Sequence, residues 1–119
     1  MVERKPDFSI GPVPVFGDLI LAPMRGYSDL PYRSLCRSMG SAVSYTSFVG
    51  AIEILSSKEP AWEPLHFKPQ ERPIVFQIYD NDLDRLASAA ARVRQLNPDV
   101  IDVNMGCSVR NVSGRGAGA

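Results

Sequence analysis

Residues 74–107 read IVFQIYDNDLDRLASAAARVRQLNPDVIDVNMGC, and this stretch decides the fold class. Ile74-Val75-Phe76-Gln77-Ile78-Tyr79 is β-branched and aromatic almost throughout, the composition of a strand buried on both faces. Asn81 or Asp82 then offers a helix cap, and Leu83, Leu86, Ala90 and Val93 recur at helical spacing before Asn97-Pro98 closes the helix. Val100-Ile101-Asp102-Val103-Asn104-Met105 is a second apolar run of strand type. Strand, helix and strand in this order make a right-handed crossover in a parallel sheet.

The same alternation extends toward the N-terminus. Leu19-Ile20-Leu21-Ala22-Pro23-Met24 reads as a further buried strand, and the polar loop Arg25–Asp29 follows it. Ser28 or Asp29 caps a helix that begins near Pro31, with Tyr32, Leu35, Cys36 and Met39 on its apolar face and Gly40 as its stop. Ala42-Val43-Ser44-Tyr45-Thr46 is another strand. A helix over Val49–Ser57, with Ile52 and Leu55 on its apolar face, comes next, and then a proline-punctuated connection through Pro60, Pro64 and Pro69. Residues 8–18, FSIGPVPVFGD, predict a small hairpin ahead of the main fold. The expected organisation is an N-terminal segment and hairpin over residues 1–18, then an α/β domain over 19–119 with about four parallel strands.

Bulk composition narrows the function classes. The 119 residues carry 13 Lys+Arg against 13 Asp+Glu, a formal net charge of zero, with 45% apolar residues. That excludes a disordered chain and a binder that relies on bulk positive charge, though not one that uses a local basic patch. The apolar runs are too short for a membrane-spanning helix, and Met1–Asp7 leads into no apolar core of a secretory signal. Two cysteines, Cys36 and Cys107, and one histidine, His66, make neither a disulfide framework nor a zinc cluster, so the expectation is a reduced, cytoplasmic protein without a metal.

Parallel α/β folds gather functional groups at the carboxyl ends of their strands. Those positions hold Pro23-Met24-Arg25, Thr46-Ser47, Gln77 and Asn104-Met105-Gly106-Cys107. Gln77 is a polar residue in the most apolar strand. If buried it needs a partner, either backbone or the carbonyl and ring nitrogen of a flat heterocycle. Cys107 has the readings of a nucleophile, a general acid, a metal ligand or a small residue filling a strand end. A thiol ordinarily titrates near about 8.5, and no histidine close in sequence would generate its thiolate, so proton donation suits it better than attack. Cys36 reads as core, Trp62 as loop packing, and His66 has no catalytic assignment. Gly114-x-Gly116-x-x-Ala119 matches the dinucleotide fingerprint in letters only, because it does not form the tight turn directly after a strand. Arg110 and Arg115 make the segment after Asp102 locally basic, a surface that can meet phosphate.

Taken together, Ala22-Pro23-Met24-x-Gly26-x-Ser28-Asp29-x-Pro31-Tyr32-Arg33, Tyr45-Thr46, Pro73–Ile78, Ala89–Arg92, Ile101–Cys107 and Gly116–Ala119 resemble, in order and spacing, the N-terminal half of the tRNA-dihydrouridine synthases. The resemblance runs from Leu19 to Ala119. It implies an FMN-containing (β/α)8 TIM barrel followed by a helical tRNA-binding domain, and reduction of the C5–C6 double bond of uridine in tRNA with electrons from NADPH. It further implies that Pro23, Met24 and Arg25 border the flavin and that Gln77 hydrogen-bonds the isoalloxazine edge. Asn104 would contact the target base, and Cys107 would protonate C5 while hydride reaches C6. The target base has to leave its stack to reach such a site.

Two positions depart from the family pattern. Ser47-Phe48 stands where Glu-Met is common, and Ser108 where proline follows the cysteine. Both bear on loop shape, flavin packing and the choice of uridine. A (β/α)8 barrel typically takes about 250 residues. The expectation is therefore the N-terminal half of a barrel, without the later strands and the helical domain, and inactive by itself. The rival enzyme reading is another FMN barrel that reduces a free pyrimidine, similar to dihydroorotate dehydrogenase. The Ala-Pro-Met and Asn-Met-Gly-Cys pair argues against it.

Overall fold

The computed structural model of the chain describes residues 2–58 and 63–106 together with Gly114 and Gly116. Trp62, Cys107, Ser108, Arg110 and Arg115 lie outside the described residues. The N-terminal hairpin pairs β1 (Phe8–Ile10) with β2 (Val13–Val15) in antiparallel register, Phe8 opposite Val15 and Ile10 opposite Val13. There follow α1 (Leu30–Ser38), β3 (Ser44–Tyr45), β4 (Val49–Gly50), α2 (Ala51–Ser56), β5 (Ile74–Tyr79), α3 (Leu83–Val93) and β6 (Val100–Val103). Strands β3 to β6 form one sheet, and every pairing in it is parallel. This is the mixed α/β architecture expected, that of the first half of a (β/α)8 barrel.

β5 is the axis of the sheet, and all six of its residues are buried. On one side it pairs with β6, Gln77 standing opposite Asp102. On the other it pairs with β3 and then β4, which are two pieces of one interrupted strand. From Tyr45 to Val49 the chain advances four residues while the partner advances three, from Val75 to Ile78. The extra residue makes a bulge over Thr46–Phe48, the kind of irregularity that re-aims side chains at the rim of a barrel.

Alternation along β5 separates two cores. Ile74, Phe76 and Ile78 pack with Val49, Ala51 and Ile54, with Leu65, and with Ala89 and Val93 of α3. Phe67 meets Phe76 edge-on at 5.8 Å. Val75, on the opposite face, packs with Ala42, Val43 and Val15, so the hairpin covers one end of the inner face of the sheet. Gly17 follows the hairpin at φ 129°, and a Cβ there would lie 2.9 Å from the Ala42 Cβ, so both its backbone and its closeness require glycine.

Four local expectations are corrected. Leu19–Met24 is not a two-faced buried strand. Leu19 is 73% exposed and Met24 52%, and the segment is held beside β3 by the Ala42 amide donating to the Leu19 carbonyl at 2.8 Å. Its apolar run lacks a second neighbouring strand among the described residues, and a parallel strand needs one on each side to be buried. In α1 the buried side chain is Arg33, whereas Tyr32, Leu35 and Met39 are exposed and Cys36 is half-buried rather than core. The second helix, α2, starts two residues late, at Ala51, because Val49 and Gly50 are drawn into the sheet. It buries Ala51 and Ile54, leaving Ile52 exposed. In α3, Ala89 and Val93 are the buried residues, and Leu83 is exposed.

Caps resolve as Asp29 for α1 and Asp82 for α3, each accepting the amide of the residue three positions on. Asn97, in the left-handed conformation at φ 59°, ends the turn that follows α3. Just before α3, Arg85 grips Asp80 with two hydrogen bonds, 2.7 and 3.2 Å. That guanidinium, with the amides of Asp82 and Asn81, holds the Asp80 carboxyl below its ordinary value.

Two predictions follow from this packing. Phe76→Ala should cost about 3–5 kcal/mol, the usual loss for a buried aromatic, read as a shift in the denaturation midpoint. A carboxyl lowered in the folded state stabilises above its ordinary titration range and loses that contribution as pH falls through the lowered value. Melting temperature should therefore drop on acidification below about pH 4, and Asp80→Asn should flatten part of that drop.

Candidate functional site

One buried ion pair anchors the loop that carries Pro23, Met24 and Arg25. Arg33, 4% exposed, donates from Nε to Glu71 Oε1 at 2.7 Å, and Glu71 is 1% exposed. Its Nη1 donates to the Ser28 carbonyl at 2.8 Å and its Nη2 to the His66 carbonyl at 2.6 Å. The second carboxylate oxygen of Glu71 accepts the Lys68 amide at 2.8 Å. One guanidinium thus ties α1, the loop before it and the connection after α2 into one body. Ser28 passes the constraint on. Its Oγ accepts the Met24 amide at 2.7 Å, and its own amide donates to the Met24 carbonyl at 2.9 Å. Pro23, Met24 and Arg25 therefore sit on a pinned turn, with Met24 and Arg25 exposed and Pro23 half-buried.

The bulge joins this turn to the sheet. Ser47 Oγ lies 3.4 Å from the Met24 carbonyl, Arg25 stacks on Phe48 at 5.4 Å, and Phe48 meets Tyr79 edge-on at 4.9 Å. Thr46 turns its hydroxyl into the ladder, where Oγ1 accepts the Gln77 amide at 3.2 Å. Ser47 and Phe48, the departures from the family pattern, are thus the residues that couple the Met24 turn to β5.

On the inner face of the sheet Gln77 is buried and its amide is doubly held. Nε2 donates to Asp102 Oδ2 at 2.6 Å, and Oε1 accepts from Asn104 Nδ2 at 3.3 Å. Asn104 Oδ1 in turn accepts the Gly106 amide at 3.1 Å. Tyr45, one register step down, has its phenol pushed up by burial and then by the Asp102 carboxylate, and so stays neutral beside that charge. Gln77 and Asn104 are in direct contact; among the described residues, the turn of Pro23, Met24 and Arg25 is linked to Gln77 through Thr46–Phe48. Cys107 follows Gly106 outside the described residues.

Glu71 is not singled out by sequence reasoning, while Arg33, Tyr45 and Asp102 enter it only as parts of the family motifs and Phe48 only as a departure from them. Asp102 had a signal, since an acid inside Val100–Val103 requires a partner if buried. Arg33 hid on the polar side of a helix whose apolar residues point to solvent. Beside the Met24 turn a cleft of about 570 Å³ is walled by Arg25, Phe48, Glu53, Glu63 and His66. Gln77 and Asn104 lie on the sheet's inner face and do not line it. Among the described residues, no three His, Cys, Asp or Glu side chains group as a metal site, and no helix is long and apolar enough to cross a membrane.

Residues 20–119 match the family model described as "Dihydrouridine synthase (Dus)". The chain belongs to the dihydrouridine synthase family. It is 37% identical over 97 residues to a probable tRNA-dihydrouridine synthase of Aquifex aeolicus, covering 81% of this chain and 30% of that protein. It is 35% identical over 111 residues to tRNA-dihydrouridine synthase B of Pseudomonas syringae pv. tomato, covering 92% of this chain and 33% of that one. Against tRNA-dihydrouridine synthase B of Yersinia pestis the identity is 35% over 107 residues, 85% of this chain and 32% of the relative. The chain thus spans about a third of the length of the curated relatives it matches.

The ion pair gives a direct test. Glu71→Gln leaves the Arg33 charge buried without its counter-ion and should destabilise the fold by about 3–5 kcal/mol, measured by denaturant titration.

Proposed function

We propose that residues 19–119 supply the flavin-facing first part of the barrel of a tRNA-dihydrouridine synthase. The enzyme reduces the C5–C6 double bond of uridine in tRNA, with FMN as cofactor and NADPH as the electron source. The observation that carries the reading is the state of Gln77. An amide offers two N–H donors and two carbonyl lone pairs. Asp102 and Asn104 use one of each, leaving one donor and one acceptor on a rigidly held, planar group. That pair is the complement of the imide edge of an isoalloxazine, so the residues present fit the group. A wholly self-satisfied glutamine would not.

FMN, when bound, supplies hydride for C6 of the uracil ring. This chain's residues do the rest of the work near it. Pro23, Met24 and Arg25, on the turn pinned by Ser28 and Arg33, border the flavin. Gln77 fixes the orientation of its polar edge. Asn104 likewise keeps one donor and one lone pair, the pattern needed to hold a uracil carbonyl and ring N–H. Cys107, three residues beyond Asn104, holds a proton as a neutral thiol and gives it to C5. Transfer RNA enters through the relatives' names, whereas NADPH and a cytoplasmic setting rest on the resemblance of the motifs alone.

The test is Cys107→Ala in a complete enzyme that carries this chain as its N-terminal part. Dihydrouridine formation on transfer RNA with NADPH should fall at least about 100-fold, the lower range for loss of a general acid, while reduction of the flavin by NADPH continues. Undiminished dihydrouridine formation would overturn the role of Cys107.

A further inference from the structure

The side chains on the inner face form a directional chain that runs between an acceptor-only carboxylate, Asp102, and a donor-only backbone amide, Gly106. Asp102 is a carboxylate and, when ionised, can only accept hydrogen bonds. It therefore compels Gln77 to turn Nε2 toward it, over 2.6 Å. Gln77 must then present Oε1 to Asn104, and Asn104 must answer with Nδ2, over 3.3 Å. That leaves Asn104 Oδ1 facing the Gly106 amide, over 3.1 Å. No other order of donors and acceptors satisfies all three contacts. Reversing either amide would place oxygen against oxygen or N–H against N–H.

We infer that Asp102 is a positioning residue that, with the Gly106 amide at the far end, holds the polarity of both Gln77 and Asn104. It touches neither ring of the proposed ligands. Its effect is to decide which atom of each amide faces the open side of the sheet, and hence whether the site offers a donor or an acceptor at each point. Thr46 holds the Gln77 backbone from the other flank, so the side-chain amide is the part left to be oriented. Buried networks of this kind are favourable when every member is satisfied and lose their specificity when one end is neutralised. The inference rests on the flavin reading for its purpose, but not for its geometry.

Asp102→Asn tests it, because an asparagine at that position can donate as well as accept and no longer enforces the direction from its end, leaving the Gly106 amide as the sole fixed end among the three contacts. In the protein without flavin, the nuclear magnetic resonance signals of the Gln77 and Asn104 side-chain amides and of the Gly106 backbone amide should move together. Those of Phe76 and Leu86 should stay. In FMN titrations followed by flavin fluorescence, Asp102→Asn should weaken binding roughly tenfold, about 1.4 kcal/mol. In a Gln77→Ala background the same substitution should have less than about a twofold effect, since a residue acting through Gln77 has nothing left to orient. Shifts confined to Gln77, or equal losses in both backgrounds, would overturn the relay. Concerted shifts in a protein that binds no FMN would leave the relay standing and remove the flavin reading instead.

Discussion

The Arg33–Glu71 ion pair is the constraint on which the candidate site depends. Taking two charges out of water is expensive, and mutual attraction repays it only when geometry is good and the remaining donors find partners. Here three of the guanidinium's N–H directions are used, on Glu71, on the Ser28 carbonyl and on the His66 carbonyl. A hydrophobic pair of the same size would fill the space but would hold none of those backbones. The pair acts less as a source of net stability than as a joint. It fixes the loop after the first extended segment to the connection that precedes β5, two stretches far apart in sequence.

What the joint holds is a turn, and what the turn faces is the edge of β5. The path from Arg33 runs through Ser28 to Met24, from Met24 through Ser47 and Phe48 to Tyr79, and from Thr46 to the Gln77 amide. Each link is short and local. The bulge at Thr46–Phe48 makes them possible, because a regular strand would have carried Ser47 and Phe48 past the sheet edge rather than turning them toward the loop. From Gln77 the polar chain reaches Asp102 on one side and runs through Asn104 to Gly106 on the other. Loop and sheet are thereby linked through Thr46–Phe48, and the sheet's inner face carries a defined order of donors and acceptors.

The crossover from β5 through α3 to β6 was legible in the sequence, because an unbroken apolar strand, a capped amphipathic helix and a second apolar strand leave little choice. So were Gln77 and Asn104 as polar residues at strand ends, and the resemblance to the family rested on the same stretches. The misreadings share a cause. Periodicity assigns a face to a helix but not the neighbour that covers it, so α1 was read by its apolar residues while its buried member is an arginine with three partners. The same holds for Leu19–Met24, whose apolar character speaks of neighbours on both sides. The bulge over Thr46–Phe48 that separates β3 from β4 depends on register against β5, a long-range property that no local pattern encodes. Asp102 was visible as an acid in a strand. Its partner became visible only with the pairing of β5 and β6.

Amide hydrogen exchange on Arg33→Lys tests the joint most directly. Lysine keeps the charge but not the planar fork that reaches three acceptors at once. The Met24 and Ser28 amides should exchange roughly tenfold faster than in the unaltered protein, a loss of about 1.4 kcal/mol in local protection, while Phe76 and Ile78 in β5 keep theirs. Unchanged protection at Met24 and Ser28, or equal acceleration across the whole sheet, would contradict the account.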